Sequence, residues 1–149
     1  MKILATATAI VLACAAIDAS AQHKPEAVIQ YRQGAMTLIG WNFATLSAMV
    51  KGKQNWDAKE FATRAERIAS LAPQIAEGFA KGSDKGAETD AKSDIWANPE
   101  DFQSKIADFT SESKALSEVA RGGDEAKMKE QFKKLGGTCK GCHEKYKAD

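Results

Sequence analysis

The stretch Asp124–Tyr146, DEAKMKEQFKKLGGTCKGCHEKY, decides how this chain is read. Its apolar positions Met128, Phe132, Leu135, Cys139, Cys142 and Tyr146 alternate at spacings of four and three, the signature of one helix face. Asp124 follows Gly122-Gly123 and sits where an N-cap belongs. Within this helix Cys139-Lys140-Gly141-Cys142-His143 is a C-x-x-C-H pattern, the signature of covalent haem attachment. Two such thiols add across the vinyl groups of haem, and the adjacent His supplies an axial nitrogen to iron. Positions i, i+3 and i+4 share a face, so Cys139, Cys142 and His143 can meet one flat macrocycle. A disulfide, a redox dithiol and half of a zinc site are the alternatives. A structural zinc site needs four ligands, and no second Cys/His cluster supplies them. A thioredoxin-like dithiol would stand near a βαβ pattern, which is absent. The reading is therefore one haem c, bound through Cys139 and Cys142 and ligated by His143. The two cysteines continue the apolar stripe, which directs the macrocycle inward.

Three further stripes lie upstream. The first, over about Pro25 to Lys51, carries Arg32, Met36, Ile39, Phe43, Leu46 and Val50, opened by Pro25 and stopped by Gly52. Asp57 and Glu60 suggest a capping box for the second, whose stripe runs Phe61, Ala65, Ile68, Leu71 or Ala72, Ile75 and Phe79. Pro73 should bend or break that helix. Lys81 to Ala97 reads as a long loop with Trp96 its one large apolar anchor. Asn98-Pro99-Glu100-Asp101 then starts a third stripe of Phe102, Ile106, Phe109, Leu116 and Ala120. Four amphipathic stripes without β-alternation predict an all-α, antiparallel up-down-up-down four-helix bundle with covalently attached haem.

The first residues read as a cleaved signal peptide, 1–21: Lys2, an apolar run from Ile3 to Ile17, then Ala19-Ser20-Ala21. The bundle domain is then 22–149, and export implies the periplasm. Val11-Leu12-Ala13-Cys14 faintly resembles a lipidation site, the competing reading of the same segment. No later run is long or apolar enough for a membrane span. With 21 Lys plus Arg against 20 Asp plus Glu, spread rather than blocked, the chain lacks the basic stripe of a nucleic-acid binder.

Antiparallel order brings His143 opposite Arg32 and Met36, with Phe79, Trp96 and Phe102 as further wall candidates. Met128 precedes His143 on the same helix by roughly 22 Å of rise, so it cannot reach the same iron. Met49 is at the far end of helix one, and His23 lies before the bundle begins. Met36 is left as the residue facing the iron. It is a sixth ligand, an unbonded side chain over five-coordinate iron, or an ordinary core methionine. Arg32 needs a partner on an apolar face; haem propionates would provide one, and the alternative is a guanidinium reaching water.

These residues resemble the cytochrome c′ family, dimeric periplasmic four-helix-bundle haem proteins of bacteria. The likeness rests on Lys24-Pro25-Glu26, Tyr31-Arg32-Gln33-Gly34-Ala35-Met36-Thr37-Leu38, Val50-Lys51-Gly52, Ile95-Trp96 and Cys139 through Tyr146. The resemblance implies thioethers at Cys139 and Cys142, His143 as proximal ligand, Arg32 on a propionate and Met36 at the distal position. It also implies that Lys147, where the family often has Arg, borders the proximal histidine, without the planar fork of Arg.

By that resemblance the leading functional reading is a five-coordinate, high-spin haem that binds NO and CO, with a role in NO scavenging or electron transport. The alternative is a low-spin electron-transfer cytochrome with Met36 as sixth ligand. A peroxidase-like enzyme would need a distal acid–base group, which the expected pocket lacks, so no catalytic residue is assigned. A homodimer is expected through the outer faces of helices one and two, with Trp41, Val50 and Trp56 as contact candidates. The redox partner is left open.

Overall fold

A computed structural model describes residues 23–148. The signal-peptide assignment, its cleavage site and Cys14 fall outside the described residues. Five α-helices and one 3₁₀ segment follow in order: α1 Pro25–Val50, α2 Ala58–Leu71, the 3₁₀ segment Ala72–Phe79, α3 Asp94–Ala97, α4 Pro99–Arg121 and α5 Glu125–Tyr146. α1, α2 with its 3₁₀ continuation, α4 and α5 form the antiparallel four-helix bundle.

Local chemistry explains most boundaries. Pro25 and Pro99 open α1 and α4, where a missing N–H costs nothing because the first turn has no acceptor for it. Pro73 removes a donor from the second helix and crowds its preceding turn, and the chain tightens into 3₁₀ geometry from Ala72 onward. The Asp57 and Asp124 carboxylates accept from the Glu60 and Lys127 N–H groups at 2.9 and 3.1 Å, capping α2 and α5. Only half of the expected capping box forms: Glu60 turns along the helix to accept from Arg64 Nε at 2.7 Å. Asn98 departs further from expectation. It also ends α3, and its side-chain amide donates back to Asp94 O at 3.0 Å instead of capping α4.

The core is built from the predicted stripes. Leu46, Phe61, Ile68, Leu116, Met128 and Leu135 are fully buried between the four helices. Each such aliphatic or aromatic side chain stabilises the fold by about 1.5–3 kcal/mol. Phe132 stacks on Phe43 at 4.5 Å between ring centroids, joining α5 to α1. Elsewhere α1 packs along α2 and the 3₁₀ segment, while α4 packs along α2 and α5. Among neighbours α1 and α5 are the pair without close backbone packing, and the space between them is the cavity described below.

The segment expected to be a loop has more structure than its composition suggested. It carries the single turn α3, and its large buried anchor is Ile95, whereas Trp96 is only half-buried. Ala91 pairs with Lys147 in an antiparallel bridge, through Lys92 N–H to Tyr146 O at 2.9 Å and Ala148 N–H to Asp90 O at 2.7 Å. No helix of the described residues is long and apolar enough to cross a membrane.

Candidate functional site

The α5 stripe carries Cys139, Cys142 and Tyr146 to one end of the bundle, where they meet the start of α1, the 3₁₀ segment and the start of α4. There a cavity of about 460 Å³ opens, within the range of sites for sizeable organic ligands. Cys139, Cys142 and His143 line it from α5, Met36, Ile39 and Phe43 from α1, and Phe102, Ile106 and Phe109 from α4. Phe79 closes it from the 3₁₀ segment. At the back, Phe102 is packed edge-on between Phe79 and Tyr146, at 4.7 and 5.2 Å.

Both thiols are free and half-buried. Burial pushes both up from the ordinary thiol value, and the charge of Cys139 would further disfavour ionisation of Cys142. His143 is held below the usual histidine value, first by burial and then by the charge of Lys147. It therefore favours the neutral imidazole, the form that binds metal. Among the described residues no three His, Cys, Asp or Glu side chains gather into a metal cage. A large apolar cavity with two thiols and one imidazole on a single helix face fits a macrocycle that brings its own equatorial ligands. When bound, haem supplies the iron, its redox chemistry and the site for an added ligand. Cys139 and Cys142 would hold it, His143 would supply a nitrogen ligand to the iron, and Met36, Ile39 and Phe43 would line its pocket.

Arg32 has partners within the protein besides the propionate that the resemblance implies. It is 3% exposed, and its guanidinium is turned to the loop after the 3₁₀ segment. Nη1 donates to Gly78 O at 3.1 Å, Ser83 O at 2.8 Å and Ser83 Oγ at 3.2 Å, and Nη2 donates to Thr89 Oγ1 at 2.9 Å. The rings of Phe79 and Trp96 lie 5.2 and 5.6 Å from its guanidinium carbon. Desolvation lowers its pKa, partly offset by the charge of Asp84. Arg32 thus meets its need for partners within the protein and does not reach water. It still forms part of the cavity wall.

Trp96 is displaced from its predicted role. Its indole N–H donates to Ala80 O at 3.1 Å, so the ring packs behind Arg32 and is not among the cavity-lining residues. Met36 and Phe79 do line the cavity, as does Tyr146, whose hydroxyl donates to Asp101 at 2.5 Å. Lys147 lies at the cavity edge and pairs with Asp90 at 3.2 Å.

Sequence reading missed the segment Glu88–Lys92, which straps the cavity. Gln33 Nε2 donates to Glu88 O at 3.0 Å and Arg32 holds Thr89, tying it to α1, while Asp90 and Lys92 tie it to α5. It missed Gly40, Gly78 and Lys105 as well. Lys105 shows no local signal; Gly40 and Gly78 could have been suspected as glycines within helical stripes.

Comparison with known proteins agrees with this geometry. The family described as Cytochrome C' matches residues 27–147. Cytochrome c' of Pararhodospirillum photometricum is 37% identical over 123 residues, covering 83% of this chain and 98% of that protein. The structure of cytochrome c prime from Shewanella frigidimarina superposes with a TM-score of 0.82 at 43% identity, covering 85% of this chain and 98% of the other. The nitric oxide complex of a cytochrome c prime variant from Alcaligenes xylosoxidans gives a TM-score of 0.77 at 32% identity, covering 85% and 98%. The agreement runs from the first turn of α1 to the residue after Tyr146, and on it the chain belongs to the cytochrome c′ family, with its haem c carried on Cys139 and Cys142.

Proposed function

We propose that this chain is a periplasmic haem protein whose iron is five-coordinate and high-spin, with His143 as axial ligand and the opposite face open to NO or CO. The observation that carries this reading is the α1 wall of the cavity. Met36, Ile39, Gly40 and Phe43 line the cavity there, and the polar side chains that α1 itself contributes are already engaged. Arg32 is committed to Gly78, Ser83 and Thr89, and the Gln33 amide to Glu88 O. A wall without a free hydrogen-bond donor suits NO and CO, whose binding needs none, better than stable O₂ binding. The Alcaligenes relative solved as a nitric oxide complex supports the same ligand class. No residue on that wall can act as a distal acid or base, so the reading is of a gas-binding or electron-transfer protein and not an enzyme.

A second reading is favoured by one observation: Met36 itself lines the cavity. Bonded to iron it would make a low-spin, six-coordinate electron carrier. Absorption spectra of the oxidised, reduced and CO-treated protein separate the two. High-spin bands that shift with CO support the first reading, and sharp low-spin bands unmoved by CO sink it.

The same reading pairs two copies of the chain. Among the described residues Tyr31, Leu38 and Trp41 are the large apolar side chains left exposed, at 40, 54 and 72%, on one side of α1. Of the contact residues expected earlier only Trp41 stands in solvent. Val50 packs on the core, and Trp56 lies 4.9 Å from Phe61 with the Lys129 ammonium over its ring. On this reading the homodimer face is the exposed side of α1 alone.

A further inference from the structure

We propose that Gly40 keeps the α1 wall of the haem cavity open and so sets the size of ligand admitted along it. The proposal rests on the gas-binding reading and deepens it. Gly40 is in the interior of α1, a 26-residue helix, where glycine is the poorest helix former apart from proline. Crowding by the protein's own atoms does not explain its presence. Gly40 is exposed, and a Cβ built there meets no protein atom within 4 Å, whereas one at Gly78 would collide with Arg32. What distinguishes Gly40 is its place: it lines the cavity one turn beyond Met36, between Ile39 and Phe43. On this proposal a side chain at position 40 takes up space on the wall that Met36 shares. Glycine thus preserves open volume on the wall facing His143, at some cost to the helix that bears it.

Gly34 supplies an internal control. It is also within α1 and also has nothing within 4 Å of a built Cβ, but it is not part of the cavity wall. Replacing either glycine by alanine strengthens the helix equally, and only the change at position 40 alters the cavity.

The test compares Gly34→Ala, Gly40→Ala and Gly40→Val in the haem-loaded, reduced protein. CO and n-butyl isocyanide serve as a small and a bulky ligand, and thermal unfolding of each variant is recorded alongside. Both alanine variants should raise the unfolding midpoint by similar amounts. Gly34→Ala should bind both ligands as the parent does. Gly40→Val should weaken n-butyl isocyanide by at least about tenfold and CO by much less, the scale of discrimination a few methyl groups give in an apolar pocket. Unchanged isocyanide binding in Gly40→Val would overturn the inference. If Gly40→Val does not fold, Gly40→Ala carries the same comparison, with a smaller loss expected and no loss overturning it. If the parent protein binds neither ligand, the gas-binding reading fails by itself. The comparison is then made in a Met36→Ala background that opens the iron, where discrimination supports the role of Gly40 and its absence refutes it.

Discussion

Gly78 and Arg32 are in such close contact that no side chain fits between them: a Cβ on Gly78 would lie 2.5 Å from Arg32 Cβ and 3.1 Å from its Cα. The missing side chain lets the 3₁₀ segment lie directly on α1. It also brings the Gly78 carbonyl within 3.1 Å of Arg32 Nη1. One backbone approach therefore serves both the packing of two elements and the burial of a charge.

Gly78→Ala should destabilise the protein by about 1–3 kcal/mol, the usual cost of overpacking where the opposing atoms are backbone and Cβ. Urea unfolding would read this as a lower midpoint with the slope unchanged. A midpoint equal to the parent's would mean that the 3₁₀ segment can move away from α1 without loss.

Arg32→Met keeps the side-chain length but removes every hydrogen bond to Gly78, Ser83 and Thr89. It leaves buried oxygens without partners, a loss on the order of 2–4 kcal/mol. Hydrogen exchange should quicken over residues 80–92 while the middle of α5 stays protected. If exchange in that segment is unaffected, Arg32 is committed to the haem propionates instead.

Met36→Ala distinguishes the two forms of the iron site. With a five-coordinate iron its resting spectrum stays high-spin and CO binding strengthens as the wall recedes. With Met36 bonded to iron the spectrum changes from low to high spin. Optical and electron paramagnetic resonance spectra of the pair read the difference directly.

The acid side of the stability curve should depend on Asp101. Hydrogen bonds from the Tyr146 hydroxyl and the Lys145 ammonium hold its carboxyl below the ordinary 3.8. A folded value below the unfolded one stabilises the protein above the unfolded value, and this contribution is lost as pH falls through the folded one. Asp101→Asn should therefore lower stability near neutrality and lose its difference from the parent below pH 3.8. Unfolding midpoints taken from pH 7 down to pH 2 would show the two curves converging; parallel curves would remove Asp101 from the acid transition.

Trp41→Ser should shift the protein toward monomer without altering its fold, because the indole is 72% exposed. Sedimentation at micromolar concentration checks this. A parent protein that is already monomeric would dispose of the homodimer.

Much of the fold was legible because helix signals are local. The α5 stripe from Met128 to Tyr146, the Asp57 and Asp124 caps and the break at Pro73 all depend on neighbours three or four residues away. Where a residue had two local partners, the reading slipped. Asn98 belongs both to the end of α3 and to the start of α4, and its side chain serves the former. The loop was misjudged for another reason. Its small and polar residues signal no regular structure, and its order comes from partners far away in sequence: Arg32 for Ser83 and Thr89, Tyr146 and Ala148 for the bridge at Ala91.

By itself the sequence determined the four apolar stripes, the C-x-x-C-H pair Cys139 and Cys142 with His143, and hence an all-α bundle with haem at one end. Helical periodicity and cofactor attachment are both written in residues a few positions apart. Only the tertiary structure decided what Arg32 binds, that Trp96 stands behind the cavity wall, that Glu88–Lys92 straps α1 to α5, and that Gly40 borders the open volume. Those outcomes depend on which groups the packed helices bring together across dozens of residues. There a buried guanidinium takes the acceptors the fold places around it, whatever partner its own helix suggests.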